Sequence, residues 1–477
     1  MSTNIQRKNL LFFLGLCAIS LALGLFVVMP LIRQRNFYKF LDRTAQSEKL
    51  KGATLALDAK YEGDKNSIIS YNAKSLIHPG SNFKLFTAAA SLAKLGPEYR
   101  FITQVISLPQ SKDLLLLGGG DPSLKQKDLA LLAESLKQYN TVWDDLYYDD
   151  RFFEGEKFGP GWDEKWRDEY FAVPITGLQI NDNLLQIHGG KNVETEIFGI
   201  DTTPLEHYSP LISELSYYQN PNDMKTGITA VMDAAGRVTL KGDTMENLPF
   251  RTSAVMRDPS RMAALVLKQE LIKNGLMKAS AGVLHSQGTP MSKPLTVHTS
   301  APLKDLVFEM LKFSKNNYAE TLVRTLGKAV KDEGSQKMGV EVLNDFFREV
   351  GIPQDEIAAF DGSGLAPSTR ASSHAIIMLF NYVDDQNWKD LFWNALPESQ
   401  VDGTLKYRFE NAGLKHTVIG KTGTHEFASS LSGKILRPGK NLLFSVHIFN
   451  HPFSTESSVL YIRPIIDRII ALLDQQF

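Results

Sequence analysis

The segment Leu76-Ile-His-Pro-Gly-Ser-Asn-Phe-Lys-Leu-Phe-Thr-Ala-Ala-Ala-Ser-Leu-Ala-Lys94 sets a Pro79-Gly80 break just ahead of an Ala/Leu/Phe-rich run of helical character. Ser81 and Lys84 open the predicted helix. In a first turn, unpaired backbone N–H groups and the helix dipole stabilise negative charge, and a side chain three residues on shares the same face. A hydroxyl and an amine are thus adjacent by geometry alone. Burial among Leu85, Phe86 and Ala88 disfavours the ammonium form, so Lys84 is expected to be partly neutral and able to take the Ser81 proton. The pattern is short, and Ser91-Leu-Ala-Lys94 repeats it. That copy lies inside the helix, where no free N–H remains to meet an oxyanion, so the reading depends on partners elsewhere in the chain.

A chain of 477 residues with 43% hydrophobic content can bury a large core and suggests two or three domains. The net charge of −1 gives no electrostatic reason to expect a nucleic-acid partner. Cys17 is the only cysteine, so no disulfide or cysteine metal site is expected. It falls within residues 10–32, a nearly continuous apolar run after Arg7 and Lys8 that is long enough to cross a bilayer. The expectation is an uncleaved signal-anchor tethering the chain to the inner membrane, with the remainder extracytoplasmic on the periplasmic face. Cleavage near Ala18/Ser20 or Ala22/Gly24, or a lipid on Cys17, are the competing readings. Arg33, Arg35, Lys39 and Arg43 outnumber the preceding basic residues, which runs against this orientation.

Gly52–Tyr61 and Asn66–Asn72 read as two short strands around the turn at Glu62-Gly-Asp-Lys65. After Gly96-Pro97 the texture turns to short strands and aromatic loops, including Leu114–Leu124 and Phe158–Trp166, which behaves like an insertion. A helical period returns near Met256, with Met262–Leu271 its clearest part, and the chain ends in strands near Ile419 and within Ser429–Phe449 and a helix at Ile462–Leu473. The division expected is 1–45 anchor and linker, 46–98 first part of the main domain, 99–251 inserted region and 252–477 second part. Strands at both ends with helices between them predict an α/β (α+β) domain whose sheet is assembled from the two chain ends and covered by helices.

Two further motifs fall in order behind Ser81. Ser314-Lys-Asn316 is the turn between predicted helices at Asp305–Phe313 and Ala319–Leu326, where a hydroxyl and an amide can enter one cleft. Val418-Ile-Gly-Lys-Thr-Gly-Thr424 is a strand whose Lys421 can bring positive charge to the cleft and whose Gly423 leaves room for a substrate along the edge. Ser70-Tyr-Asn72 and Lys225-Thr-Gly227 match the same patterns, but only Ser81, Ser314 and Lys421 follow the order helix, corner, strand edge.

This ordered set resembles the penicillin-recognising serine enzymes. Gly119-Gly-Asp-Pro-Ser-Leu124, Lys312–Leu322, Asp361-Gly-Ser-Gly-Leu365 and the insertion after the Ser81 helix narrow the resemblance to the class C low-molecular-mass penicillin-binding proteins, D-alanyl-D-alanine carboxypeptidases and endopeptidases, from about residue 46 onward. The resemblance implies a β-lactamase/transpeptidase-like fold carrying a large, mostly β insertion, peptidoglycan stem peptides as substrate, β-lactams as inhibitors and no cofactor. It implies Ser81 as nucleophile, Lys84 as base, the N–H groups of Ser81 and Thr424 as oxyanion hole, and Ser314 as proton relay to the leaving amine. Asn316 would hold the stem peptide, Lys421 and Thr422 would bind its terminal carboxylate, and Asp168 would be the insertion-borne acid that meets the free amine of the diamino acid. Thr424 stands where serine is more usual, and Ala366-Pro-Ser-Thr-Arg370 separates Leu365 from the arginine that often follows it. Without the family, Asp361–Gly364 reads as a turn; Gly118–Gly120 suggests a phosphate cradle but reads as a turn, because no Lys-Ser/Thr follows in the required register. A metal site finds little support, since His447 and His451 alone show helical spacing and no His-Glu-x-x-His occurs; no Gly-x-Ser-x-Gly elbow occurs either. A β-lactamase-type hydrolase and a non-catalytic murein-binding scaffold are the rival readings.

Overall fold

The computed structural model describes residues 28–191, 198–205, 210–219, 221–245, 248–286, 288 and 292–477. Most of the apolar run, residues 10–27 with Cys17, lies outside the described residues. The run's end opens helix α1 (Met29–Ala45). Among the described residues no helix is long and apolar enough to cross a membrane.

The main sheet joins strands from both ends of the chain. Strands β1 (Thr54–Tyr61) and β2 (Ile69–Tyr71) come early, while β8 (Thr417–His425), β9 (Ala428–Leu436) and β10 (Leu442–Phe449) come late. Their order is β8-β9-β10-β1-β2, with every neighbour antiparallel. Thr54 pairs with Phe449 and Tyr61 with Leu442. One sheet face is apolar: Leu57, Leu431, Phe444 and Val446 pack on Phe37 and Leu41 of α1 and on Ile466, Ile469 and Leu473 of the final helix. The other face meets the helical layer, α2 (Lys84–Leu95), α3 (Leu303–Phe313), α4 (Asn316–Lys331), α5 (Gln336–Val350) and α6 (Ser373–Asp384). These helices share a core that includes Phe86, Met310, Leu322, Phe346 and Phe380. Both faces being covered, β9 and β10 are buried almost throughout.

The inserted region is built on a second five-stranded sheet, with β3 (Ile102–Ser107), β4 (Leu114–Leu117), β5 (Leu146–Asp149), β6 (Val283–His285) and β7 (Pro294–Thr299) in the order β6-β5-β4-β3-β7. Helices Gln126–Ser135 and Pro259–Lys273 bury Leu129, Leu132, Val266 and Leu267 in the same core as Leu114, Leu116 and Leu146. Two three-stranded sheets complete it. On strand pairing we place this region at 102–299 rather than 99–251. The helical period at Met262–Leu271 belongs to it, and its last strands are short and half-exposed.

Candidate active site

The predicted helix does not begin at Ser81. Gly80–Phe83 form a 3₁₀ turn, and regular helix starts at Lys84. Gly80 takes φ +54°, a left-handed conformation that glycine adopts at least cost. Its other constraint is space. A Cβ on Gly80 would lie 3.1 Å from Thr424 N, and one on Gly423 would lie 2.5 Å from Pro79 O and 3.2 Å from Ser81 N. The Ser81 turn and the edge of β8 therefore meet backbone to backbone. Gly420 N–H donates outward from that edge to Pro397 O at 3.0 Å, and the two-residue period of a strand turns the Thr424 N–H the same way. Ser81 N and Thr424 N thus flank one gap. The turn is pinned to the sheet by polar contacts: Asn82 Nδ2 donates to Ser432 Oγ at 2.8 Å and Ser430 Oγ to Pro79 O at 2.7 Å.

Lys84 is wholly buried. Its Nζ donates to Ser81 Oγ at 2.8 Å, Asn316 Oδ1 at 2.5 Å and Ser363 O at 2.9 Å. Desolvation outweighs the attraction of Asp361 and Glu320 and brings its pKa down to about 7. The amine is therefore poised between its two forms at neutral pH, as the sequence suggests. Asn316, the first residue of α4, also donates from Nδ2 to Phe171 O at 2.8 Å, which ties it to the inserted region.

The Ser363 carbonyl is held by a loop that reads as a plain turn in sequence. Asp361, fully buried, accepts from the N–H groups of Gly364, Leu365 and Ala366, from the hydroxyls of Ser363 and Thr369, and from Trp162 Nε1. Glu320 on α4 accepts from Gly362 N and Ser363 N, and burial raises its pKa to about 7. Asp361→Asn replaces one acceptor oxygen by a donor that faces N–H groups. It is expected to cost about 2–3 kcal/mol of stability, read from the urea midpoint; an unchanged midpoint would contradict this account of the loop.

Ser314 caps α3 with a left-handed φ of +61°, which sets its hydroxyl at the corner before α4. Lys421 Nζ, also wholly buried, donates to Ser314 Oγ at 2.9 Å and to Thr422 O at 2.8 Å. Desolvation first, and the neighbouring Lys84 second, hold its pKa well below the usual lysine range. Thr422 Oγ1 donates to Thr404 Oγ1 at 2.8 Å, and Thr424 Oγ1 accepts from Arg463 Nη2 at 3.2 Å. The structure thus brings Ser81, Lys84, Ser314, Asn316, Lys421, Thr422, Gly423 and Thr424 to one place. Asp168 is engaged instead by Arg257, whose guanidinium pairs with its carboxylate. The repeats of the short motifs lie elsewhere: Ser70 N–H donates to Tyr38 Oη, and the N–H groups of Lys225 and Thr226 donate to Asp243.

Sequence reasoning missed Phe171 O and Ser363 O, because a backbone carbonyl carries no residue signature, and it missed Thr404 and Arg463, which lie outside every motif. Glu320 falls within the Lys312–Leu322 segment but was assigned no role there.

Comparison with known proteins adds to this geometry. A model of the D-Ala-D-Ala carboxypeptidase 3 (S13) family matches residues 38–469. A D-alanyl-D-alanine carboxypeptidase of Actinomadura sp. (strain R39) is 28% identical over 438 residues, covering 85% of this chain and 79% of the relative. The D-alanyl-D-alanine carboxypeptidase DacB of Haemophilus influenzae is 25% identical over 434 residues, covering 88% and 90%. The crystal structure of penicillin binding protein 4 (dacB) from Haemophilus influenzae superposes with a TM-score of 0.74 at 22% identity, covering 91% of this chain and 98% of that one.

Proposed function

Since the chain belongs to the D-Ala-D-Ala carboxypeptidase 3 (S13) family, we propose that its buried Ser81–Lys84 pair carries the acyl transfer of a serine DD-peptidase on peptidoglycan stem peptides. The observation that carries the assignment is the Lys84 amine, 2.8 Å from Ser81 Oγ and desolvated to a pKa of about 7. Neutral Lys84 takes the Ser81 proton as Oγ attacks the carbonyl of the penultimate D-alanine. The Ser81 and Thr424 N–H groups receive the oxyanion. Ser314, hydrogen-bonded to Lys421, relays the proton taken by Lys84 to the departing D-alanine amine, and water then hydrolyses the Ser81 ester, releasing the shortened peptide and returning a proton to Ser81. Lys421 and Thr422 take the terminal carboxylate, and Asn316 orients the peptide. Asp168 remains our candidate for the amine of the diamino acid; binding there requires the Arg257 pair to open. Penicillins, whose acyl transfer stalls at the same serine, are the expected inhibitors.

The apolar run at residues 10–32 supports a membrane tether holding the enzyme on the periplasmic face. The test of the catalytic reading is peptide mapping by mass spectrometry after incubation with a penicillin. A penicilloyl adduct on the Ser81 peptide, with release of D-alanine from a D-alanyl-D-alanine peptide, is expected. A folded protein with no adduct would favour a binding scaffold, whereas an adduct cleared within seconds would favour a β-lactamase.

A further inference from the structure

Two histidines stand beside the site and outside every catalytic motif. His78 is buried two residues ahead of Gly80, and His425 follows Thr424 directly. Their rings lie 4.2 Å apart at 41°. Gly80 N–H donates to His78 Nδ1 at 3.1 Å, while His78 Nε2 meets Ala366 O at 3.2 Å. His425 Nε2 meets Leu365 O at 3.2 Å. A carbonyl only accepts, so both Nε2 atoms carry the proton, and His78 Nδ1 is left bare for Gly80. Leu365 and Ala366 are themselves fixed by their N–H groups to Asp361, each at 2.8 Å. Trp166 meets the His425 ring in a T-shaped contact at 5.4 Å and 87°.

We propose that His78 and His425 are a positioning pair in ring contact that sets the separation of the Ser81 and Thr424 N–H groups. One ring holds the residue before Ser81; the other belongs to the residue after Thr424. Both are referred to consecutive carbonyls of one rigid loop, the loop whose Ser363 carbonyl also holds Lys84. The oxyanion donors and the base thereby share a single frame. The assignment requires a neutral His78, since a proton on Nδ1 would oppose the Gly80 N–H. The charged or titratable groups around the pair are Arg370, Asp361, Glu426 and His447. Burial, then His425, then Arg370, push His78 down to about 2, and burial also lowers His425, so the pair stays neutral wherever Lys84 is active. Neither ring touches the reacting atoms.

The inference rests on Ser81 being the nucleophile. Its test compares kcat, KM and thermal midpoint of the full chain on a D-alanyl-D-alanine peptide for the parent, His78→Leu and His78→Asn. Asn places Oδ1 where Nδ1 accepts from Gly80, so it should rescue. His78→Leu is expected to lose about 10- to 100-fold in kcat with KM within about twofold, and His78→Asn to recover to within about threefold of the parent. Parental kcat in His78→Leu, or no rescue between two variants of equal thermal midpoint, would overturn the proposal. Should His78→Leu not fold, His425→Gln, which keeps a donor for Leu365 O, is compared with His425→Leu: a higher kcat in the Gln variant supports the pair and equal kcat overturns it. Absence of a penicilloyl adduct on parental Ser81 would sink the nucleophile assignment itself. An adduct there together with unchanged His78 variants sinks the pair alone.

Discussion

Lys84→Met is expected to slow penicillin acylation of Ser81 by about 10³-fold, the middle of the range for loss of a general base. Methionine keeps an unbranched apolar stem, one atom shorter, but can neither accept the Ser81 proton nor hold Asn316 Oδ1 and Ser363 O. In the parent, acylation should rise with pH through about 7, where Lys84 gives up its proton, and level off above it. In the variant that inflection should vanish. Stopped-flow acylation from pH 5.5 to 9 checks both; a variant that keeps the parental rate or the step near pH 7 would remove Lys84 from its role. Stability gives an independent reading. Because the folded pKa lies below the unfolded one, the unfolded chain holds one more proton between about 7 and the ordinary lysine value of 10.5, so burying Lys84 opposes folding fully below pH 7 and less as pH rises. The thermal midpoint of Lys84→Met relative to the parent should therefore improve as pH falls from 9 to 6.

Gly423→Ala carries the second large effect, about 10²-fold in acylation. A methyl group there would stand 2.2 Å from Ser430 Oγ and 2.5 Å from Pro79 O. Ser430 Oγ can rotate away, but the Pro79 carbonyl belongs to the Gly80–Phe83 turn and cannot move without carrying Ser81 with it. The added methyl therefore wedges β8 from the turn and widens the gap between Ser81 N and Thr424 N, and a displacement of about 1 Å is worth roughly that factor. Second-order acylation rates with a penicillin, alongside circular dichroism, decide it. A folded variant acylated at the parental rate would mean that the two backbones do not need this proximity.

These residues show how far the sequence could be read. Ser81, Ser314 and Lys421 were legible because each sits in a pattern tied to a local element, a first turn, a helix corner and a strand edge, and because their order along the chain excludes the decoys at Ser70 and Lys225. The two-ended sheet was legible from strands at both termini with helices between. Asp361 was ambiguous for a physical reason: the residue types that suit a turn also suit a carboxylate collecting six donors, and only the folded loop shows where they converge. The reach of the inserted region past residue 251 was hidden because Val283–His285 and Pro294–Thr299 pair with Leu146–Tyr148 and Ile102–Ile106, segments too distant in sequence for local pattern to join. The close approach of Gly423 to Ser81 joins segments more than 300 positions apart, which local pattern cannot register.

The pairing of Thr54 with Phe449 bears on the timing of synthesis. Since β1 waits for β10 and Ser81 waits for β8, a ribosome must deliver nearly the entire chain before the gap between Ser81 N and Thr424 N exists. The inserted region, whose sheet is complete at Thr299, can fold far earlier and stand as a finished body beside an unfinished enzyme. A nascent or prematurely terminated chain is consequently mute toward the cell wall, and hydrolytic power arrives only with the last strands.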